Sequence, residues 1–306
     1  MKFRHICYNR KDMILYLPVN FKLEFEKPAF VDNHIQMVIR SLIGKNLKSM
    51  SCSFDKVVCN NCLVAESCIY AKLFETVVEK NSAPIKGTNR ASHPYAVTKS
   101  DDVKLYSKIK SYNFQITFFG SDCESNFSYI SEALKKAGMN GMFKERVKFS
   151  VQQSVVEDKT NDSLNTCVFD ENVFKGEGGF RRLEVSLDSP LRFQIDGKYA
   201  ADFSSLEFLR CLNRRYRIMM SLYGSENFLY EGIENTKTKI IQKDLRWVRR
   251  NRYSARQSKQ MKFDGLCGTF ILEGDFSDYE LMLLKFAEIA NAGKSSNFGC
   301  GIVTVR

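Results

Sequence analysis

The strongest constraint on this 306-residue chain is a pattern of strands and helices that occurs twice. Strands are predicted where apolar side chains alternate, and helices where they recur at helical spacing. The first half reads strand, helix, strand, strand, helix, strand: "MILYLPVNFKLEF", "VDNHIQMVIRSLIGKNL", "YAV", "YNFQITFFG", "NFSYISEALKKAG" and "RVKFSVQQSVV". The order βαββαβ is the split-βαβ arrangement of a ferredoxin-like domain.

The second half begins the same pattern again after a polar stretch. Its elements are "RRLEVSLDSPLRFQI", "SSLEFLRCLNRRYRIMMSLYG", "GLCGTFILEG", "SDYELMLLKFAEIANAG" and "FGCGIVTV". Ser204 or Ser205 is expected to cap the first of these helices, and Gly224 to end it. The prediction is an α+β fold of two tandem ferredoxin-like (RRM-like) domains, 1–156 and 181–306, joined by a connection over 157–180.

Charge and hydropathy narrow the class of protein. The formal net charge is +11 and the sequence pI is about 9.1, so the surface should attract a polyanion, with acidic proteins or membrane lipid as alternatives. No apolar stretch is long enough to span a bilayer, and the first residues carry charges where a signal peptide needs an apolar core. A cytoplasmic location without membrane contact is therefore expected.

Four of the ten cysteines lie in a small insertion at about residues 50–75 of the first domain. Cys52, Cys59, Cys62 and Cys68 form the pattern C-x6-C-x2-C-x5-C, compact enough for four thiolates to bind a structural Zn²⁺. An iron–sulfur cluster is the minor alternative, and free thiols are the other. Four thiolates leave no open coordination position, so a catalytic metal is not expected here.

The segment 237–262 combines positive charge with aromatic rings. It carries ten Lys or Arg residues against the single acid Asp244, with Trp247 and Tyr253 between them. Cations that contact phosphates and rings that stack on bases are typical of single-stranded RNA binding, although a charged stretch can also be a plain solvated surface.

The chain ends in a glycine-rich stretch, "NAGKSSNFGCGIVTVR". Gly293, Gly299 and Gly301 permit tight turns with positive φ, and successive N–H groups beside Lys294 could bind an anion. The alternative is an ordinary helix end followed by a bulged loop. The stretch lacks a Walker motif and precedes a strand, which argues against a nucleotide-hydrolase loop.

Together these segments resemble the CRISPR-associated endoribonucleases of the RAMP superfamily that process precursor CRISPR RNA. The similarity lies in "RWVRRNRYSARQSKQMKFDGLCGTF" and "GKSSNFGCG", and more loosely in "SPLRFQIDGK" and "CNNCLVAESCIYAKLFE". It implies metal-independent cleavage of CRISPR repeat RNA, with other CRISPR-associated proteins as further partners. The expected RNA-binding residues are Arg246, Trp247, Arg249, Arg250, Arg252, Tyr253, Arg256, Gln257, Gly293, Lys294, Ser295, Gly299 and Gly301.

In that chemistry the 2′-hydroxyl of the RNA attacks the adjacent phosphate, leaving a 2′,3′-cyclic phosphate and a 5′-hydroxyl. The resemblance implies a histidine near the first helix with Tyr and Lys helpers. His34 is the first choice, with Lys45 on the same helix and Tyr16 on the adjoining strand; His93 and His5 rank second and third. Alternatively, His34 only caps the helix and Tyr16 belongs to the core.

Two other functions remain open from the sequence. One is a non-catalytic RAMP subunit that binds guide RNA within a CRISPR effector complex. The other is a zinc-stabilised scaffold whose basic surface binds protein or RNA without chemistry.

Overall fold

The computed structural model describes residues 13–32, 34–54, 57–76, 92–156, 166–224, 232–254 and 259–306, without the side chains of 252–254 and 259. Within these ranges the chain forms two βαββαβ units, each an antiparallel sheet with two helices on one face. The predicted tandem ferredoxin-like fold is confirmed.

The first unit has a sheet in the order β2-β3-β1-β4, with β5 pairing the start of β1. Its elements are β1 (Met13–Phe30), α1 (Ile35–Ser51), β2 (Tyr95–Ser100), β3 (Lys108–Phe119), α2 (Cys123–Asn140), β4 (Phe149–Val155) and β5 (Cys167–Asp170). Alternate residues of β1 from Leu17 to Phe25 are buried, and Ile35, Ile39 and Ile43 of α1 pack onto them. Period-two and period-four burial on facing elements therefore builds the first core.

The second unit repeats this topology with the order β13-β6-β12-β9. Its elements are β6 (Gly179–Leu191), β7 (Gln194–Ile195), β8 (Lys198–Tyr199), α3 (Ser205–Tyr223), β9 (Lys237–Val248), β10 (Asn251–Ser254), β11 (Lys259–Lys262), β12 (Gly265–Phe276), α4 (Asp278–Ala290) and β13 (Val303–Val305). Ser204 caps α3 through a capping box with Glu207, and Gly224 follows its last residue, both as predicted. Among the described helices, none is long and apolar enough to cross a membrane.

Part of the predicted connection 157–180 is a strand. β5 pairs with Met13–Tyr16 of β1, and β6 begins at Gly179, while residues 157–165 lie outside the described ranges. The sequence did not reveal β5 because four residues within a polar stretch show no readable alternation. Its Phe169 is buried in the core of the second unit.

The two units share the second core. Ile14, Ala96, Phe119 and Phe169 from the first sheet pack into the cluster formed by α3, α4, β6 and β12. The shared apolar surface fixes the position of one unit against the other, because close-packed interiors do not slide.

A buried arginine on α3 joins the units. Arg215 is 5% exposed, and its guanidinium donates to the Ala290 carbonyl at 3.1 Å, Ser92 Oγ at 3.0 Å and Ser296 Oγ at 2.9 Å. These acceptors belong to the end of α4, the segment before β2 and the glycine-rich stretch. The planar guanidinium therefore links α3 to all three of these places at once.

We predict that Arg215→Lys destabilises the protein by about 2 kcal/mol or more, because an ammonium group cannot satisfy three buried acceptors in this geometry. Equilibrium denaturation measures the effect. The matched control is Arg210→Lys on the same helix, whose contacts with the Ile233 and Glu234 carbonyls are exposed, and which should change stability by about 0.5 kcal/mol or less. Equal losses for the two variants would contradict the role given to Arg215.

Candidate functional site

The glycine-rich loop, residues 291–301, folds through a series of left-handed backbone conformations. φ is positive at Asn291, Gly293, Ser295, Gly299 and Gly301, with values between 62° and 72°. A Cβ at Gly293 would overlap the Arg192 carbonyl oxygen, and one at Gly301 would overlap that of Ala292. These two glycines are thus required by the close approach of the chain's own backbone.

Gly299 differs from those two glycines. A Cβ there would meet only side chains, with Gln36 Cγ nearest at 3.3 Å. Gln36 lies in the first turn of α1 and donates to Ser100 Oγ at the end of β2. The tip of the loop therefore rests against the start of α1 in the other unit.

Aromatic and cationic side chains extend this contact. The Arg40 guanidinium of α1 lies 4.7 Å from the ring centroid of Phe298 in the loop and 4.5 Å from that of Phe74. Met37, Phe263 and Cys300 form a small buried cluster alongside. Cation–π and apolar contacts thus hold the loop against the first turns of α1, just after His34.

His34 is the N-cap residue of α1 and is half-buried. Its side chain makes no capping hydrogen bond in the described part of the chain, so helix capping does not explain its position. Burial, and then the positive charge of Arg250, lower the pKa of His34 from 6.5 to about 4. His34 is therefore a neutral imidazole at pH 7, able to accept a proton.

Arg250 lies at the base of the hairpin formed by β10 and β11, which we call the basic hairpin. Its backbone N–H donates to Asp264 Oδ1 at 3.0 Å, and its carbonyl accepts from the Phe263 N–H at 2.7 Å. Its Nε is buried and has no hydrogen-bond partner among the described residues. The backbone bonds fix the main chain of Arg250. Its guanidinium, which has an unsatisfied donor, is suited to an anionic group and stands close enough to His34 to influence its charge.

Arg192 links the basic hairpin to the glycine-rich loop. Its guanidinium donates to the Lys262 and Asp264 carbonyls at 2.9 and 3.1 Å and to Ser295 Oγ at 2.7 Å. Arg192 is not among the site residues predicted from the sequence. The available signal was a lone arginine between apolar residues in "SPLRFQI", since a buried arginine needs several acceptors.

The other predicted catalytic residues lie away from His34. Lys45 is exposed about three turns further along α1. Tyr16 lies near the start of β1, whereas His34 follows its end, and the Tyr16 side chain packs against the second core. His93 bonds Thr76 Oγ1 through Nδ1 at 2.7 Å, and His5 lies outside the described ranges. The structure thus brings His34 together with Arg250 and the loop, and not with Lys45 or Tyr16.

The predicted RNA-binding residues divide into three groups. Arg246, Trp247 and Arg249 are exposed on and just after the edge strand β9, with Trp247 40% exposed. Lys294 is exposed and Ser295 half-buried in the loop. Arg256 and Gln257, and the side chains of Arg252 and Tyr253, lie outside what the structure describes. The roles of all these residues stay predictions.

The four clustered cysteines line one cavity of about 410 Å³. The described residues contain no group of three His, Cys, Asp or Glu side chains arranged to hold a metal ion. The charged residues Lys72 and Glu66 do not line this cavity, whose walls are apolar or neutral. The zinc site stays a prediction.

We predict that His34 titrates near pH 4 in the free protein and that Arg250→Gln raises its pKa part of the way towards 6.5, because burial is the larger cause and remains. An NMR titration of the imidazole protons measures this, with the His34 signal identified by its loss in His34→Gln. Arg181→Gln, which removes a cation ion-paired with Glu177, is the control and should leave the titration unchanged.

The lowered pKa of His34 also makes the folding stability of the protein depend on pH. The unfolded chain binds a proton at His34 below about 6.5 and the folded chain only below about 4, so folding stability should fall as the pH falls between these values. If the pKa of His34 is 6.5 in the wild type and does not change in Arg250→Gln, the proposed effects of burial and of the Arg250 charge on His34 are contradicted.

Two protein families match successive parts of the chain. Residues 14–182, more than half of the chain, match the family AF_1859_N, described as an N-terminal domain. Residues 185–303 match the family described as CRISPR-associated endoribonuclease Cas6. No curated protein matches the sequence.

Several solved structures share the fold. Thermus thermophilus Cas6 is 13% identical over 96% of this chain and 99% of its own, with a TM-score of 0.56. A Cas6 product complex is 12% identical over 95% and 99%, with a TM-score of 0.53. A Cas6-RT-Cas1–Cas2 complex is 13% identical over 97% of this chain and 29% of its own, with a TM-score of 0.57. The two family matches follow each other along both units, and the chain belongs to the CRISPR-associated Cas6 family.

Proposed function

We propose that this protein cleaves CRISPR repeat RNA to mature CRISPR RNA without a catalytic metal, by attack of the 2′-hydroxyl on the adjacent phosphate. The products are a 2′,3′-cyclic phosphate and a 5′-hydroxyl. The observation that carries the proposal is the position of His34, a neutral imidazole held beside Arg250 at the edge of the glycine-rich loop.

In this proposal His34 accepts the proton of the 2′-hydroxyl. The imidazole is unprotonated at neutral pH, as a base must be before it acts. Arg250 stabilises the negative charge that grows on the phosphorus centre, and the unsatisfied buried Nε supports that assignment over Lys45. Binding of a phosphate would also offset the charge of Arg250 and raise the pKa of His34 towards neutral pH, which makes the imidazole a stronger base for the 2′-hydroxyl proton. The imidazolium formed in that step then gives its proton to the leaving 5′-oxygen.

RNA would reach this site along the exposed cations. β9 is an edge strand that carries Arg246 and Trp247, and it leads to Arg250 at the base of the basic hairpin. An excess of positive charge along one continuous segment favours a nucleic acid over a neutral ligand. One solved structure with this fold is a Cas6-RT-Cas1–Cas2 complex, and other CRISPR-associated proteins are accordingly proposed as partners of this chain.

We predict that the wild-type protein cuts the repeat RNA of its own CRISPR array in the presence of EDTA. His34→Ala should slow single-turnover cleavage by about 10²–10⁴-fold and leave RNA affinity nearly unchanged, because a positioned base acts on the chemical step. Mapping of the product ends checks the 2′,3′-cyclic phosphate. His93→Ala is the matched control and should cut normally.

Two outcomes would change this account. If His93→Ala loses cleavage while His34→Ala keeps it, the base is misassigned but the activity stands. If the wild type binds repeat RNA tightly and never cuts it, the protein is a non-catalytic RNA-binding subunit instead.

The clustered cysteines carry a separate proposal, a structural zinc site. Cys52, Cys59, Cys62 and Cys68 share one neutral cavity, where four thiolates could converge on a metal that is not part of the cleavage reaction. A small movement of the loop side chains is required, because these thiols are not arranged as a ligand set.

We predict close to one zinc per chain in protein purified without chelator, and none in the double variant Cys59→Ser, Cys62→Ser. Elemental analysis measures both, and Cys211→Ala, buried in the second core, is the control that should keep the metal. Removal of zinc should lower the melting temperature, because a structural metal adds to folding free energy. Equal metal content in the wild type and the double variant would refute the site.

A further inference from the structure

A tyrosine on the β7–β8 hairpin stands beside the glycine-rich loop with part of its ring open to solvent. Tyr199 is 42% exposed. The Arg192 guanidinium lies 4.9 Å from its ring centroid, and Lys294 Nζ lies 5.9 Å from it. The hairpin is held in place because Lys294 Nζ donates to Gln194 Oε1 at 2.5 Å. The Tyr199 ring is therefore held in position by Arg192 and Lys294 and by the hairpin that carries it.

The surroundings of Tyr199 are strongly positive. Lys198 directly precedes Tyr199 in the same hairpin. Burial, and then the charges of Arg214 on α3 and of Arg192, lower the pKa of Lys294. In the described part of the chain, none of these four cations forms an ion pair with a carboxylate. The turn of the same hairpin contains the acid Asp196, which the four cations outnumber, and cations crowded in this way are stabilised when an anion binds.

This surface is continuous with the candidate active site. Arg192 donates to the carbonyls of Lys262 and Asp264, and the Asp264 carboxylate accepts from the backbone of Arg250 beside His34. Lys294 and Gly299 belong to the same loop, and Gly299 meets Gln36 two residues after His34. Tyr199 therefore lies on the other side of the glycine-rich loop from His34, within reach of a strand that crosses the loop.

We propose that Tyr199 stacks on one unpaired base of the repeat RNA, close to the cleaved bond but not at it, while Lys198, Arg214 and Lys294 bind the flanking phosphates. An exposed ring surrounded by cations matches single-stranded RNA, whose bases stack and whose phosphates need positive charge. This inference rests on the proposed function for the position of the cut, although it requires only RNA binding. Tyr199 is a binding residue in this account and has no part in proton transfer.

The test is a double-mutant cycle on affinity. The probe is the repeat RNA with a 2′-deoxy sugar at the mapped cut, together with a series in which each nucleotide near the cut in turn lacks its base. Tyr199→Ala should weaken binding of the intact probe by roughly 5- to 150-fold, as expected for the loss of one stacked base, and leave the salt dependence unchanged. Tyr199→Phe should bind as the wild type does, because the ring and not the hydroxyl makes the contact.

The cycle separates stacking from a structural role. In the wild type, removal of one particular base from the RNA should weaken binding by the same factor as Tyr199→Ala does. In Tyr199→Ala, removal of that base should not weaken binding further. Tyr129→Ala is the control, since this tyrosine of α2 is exposed to a similar extent, 45%, and its replacement should change neither affinity nor the position profile.

Each failure has its own signature. If no abasic position couples to Tyr199, or if Tyr199→Ala binds normally, the stacking proposal is overturned even though cleavage proceeds. If the protein never cuts the RNA, the unmodified repeat serves as the probe, and one base coupled to Tyr199 would uphold the subsite while the proposed function fails.

Discussion

The guanidinium of Arg215 is the contact on which the arrangement of the two units depends. It has neutral acceptors only, and they come from two parts of the chain that are distant in sequence: Ser92 before β2, and Ala290 and Ser296 in the adjoining end of α4 and glycine-rich loop. Burial lowers the pKa of Arg215 to about 10, so it remains charged at neutral pH and must keep these partners. Asn291 adds bonds from its side chain to the Val97 and Cys300 carbonyls. Because buried donors have few alternatives, the glycine-rich loop has one position against the first unit.

The electrostatics of the candidate site follow from that position. With the loop and the basic hairpin packed on the start of α1, His34 is half-buried and close to Arg250. Both effects disfavour the imidazolium, and the result is a proton acceptor next to a positive charge. Positive charge in the same region continues through Arg192 and Lys294 to the β7–β8 hairpin. The phosphate backbone of the proposed RNA substrate would supply the negative charge that this surface lacks.

Much of the fold was predictable because its signals are local. The capping box at Ser204, the helix end at Gly224 and the positive φ of Gly299 and Gly301 each depend on a few neighbouring residues. The alternation in β1 and the helical spacing in α1 depend on which face is buried, and the residues themselves encode that face. β5 and the β7–β8 hairpin escaped notice, since strands of four and two residues are too short to show a period.

The sequence by itself determined the first βαββαβ unit, five of the six elements of the second, the basic segment before β12 and the glycines that the loop requires. The element that it missed is β9, whose residues are mostly exposed and show little apolar alternation. The sequence also narrowed the choice of base to three histidines. Only the tertiary structure decided that the charge of Arg250, and not Lys45 or Tyr16, acts on His34, that Arg192 lies beside the Tyr199 ring, and that Gly293 and Gly301 approach the chain's own backbone. Those relations join residues far apart along the chain, and they arise from the packing of one unit on the other, which no local pattern records.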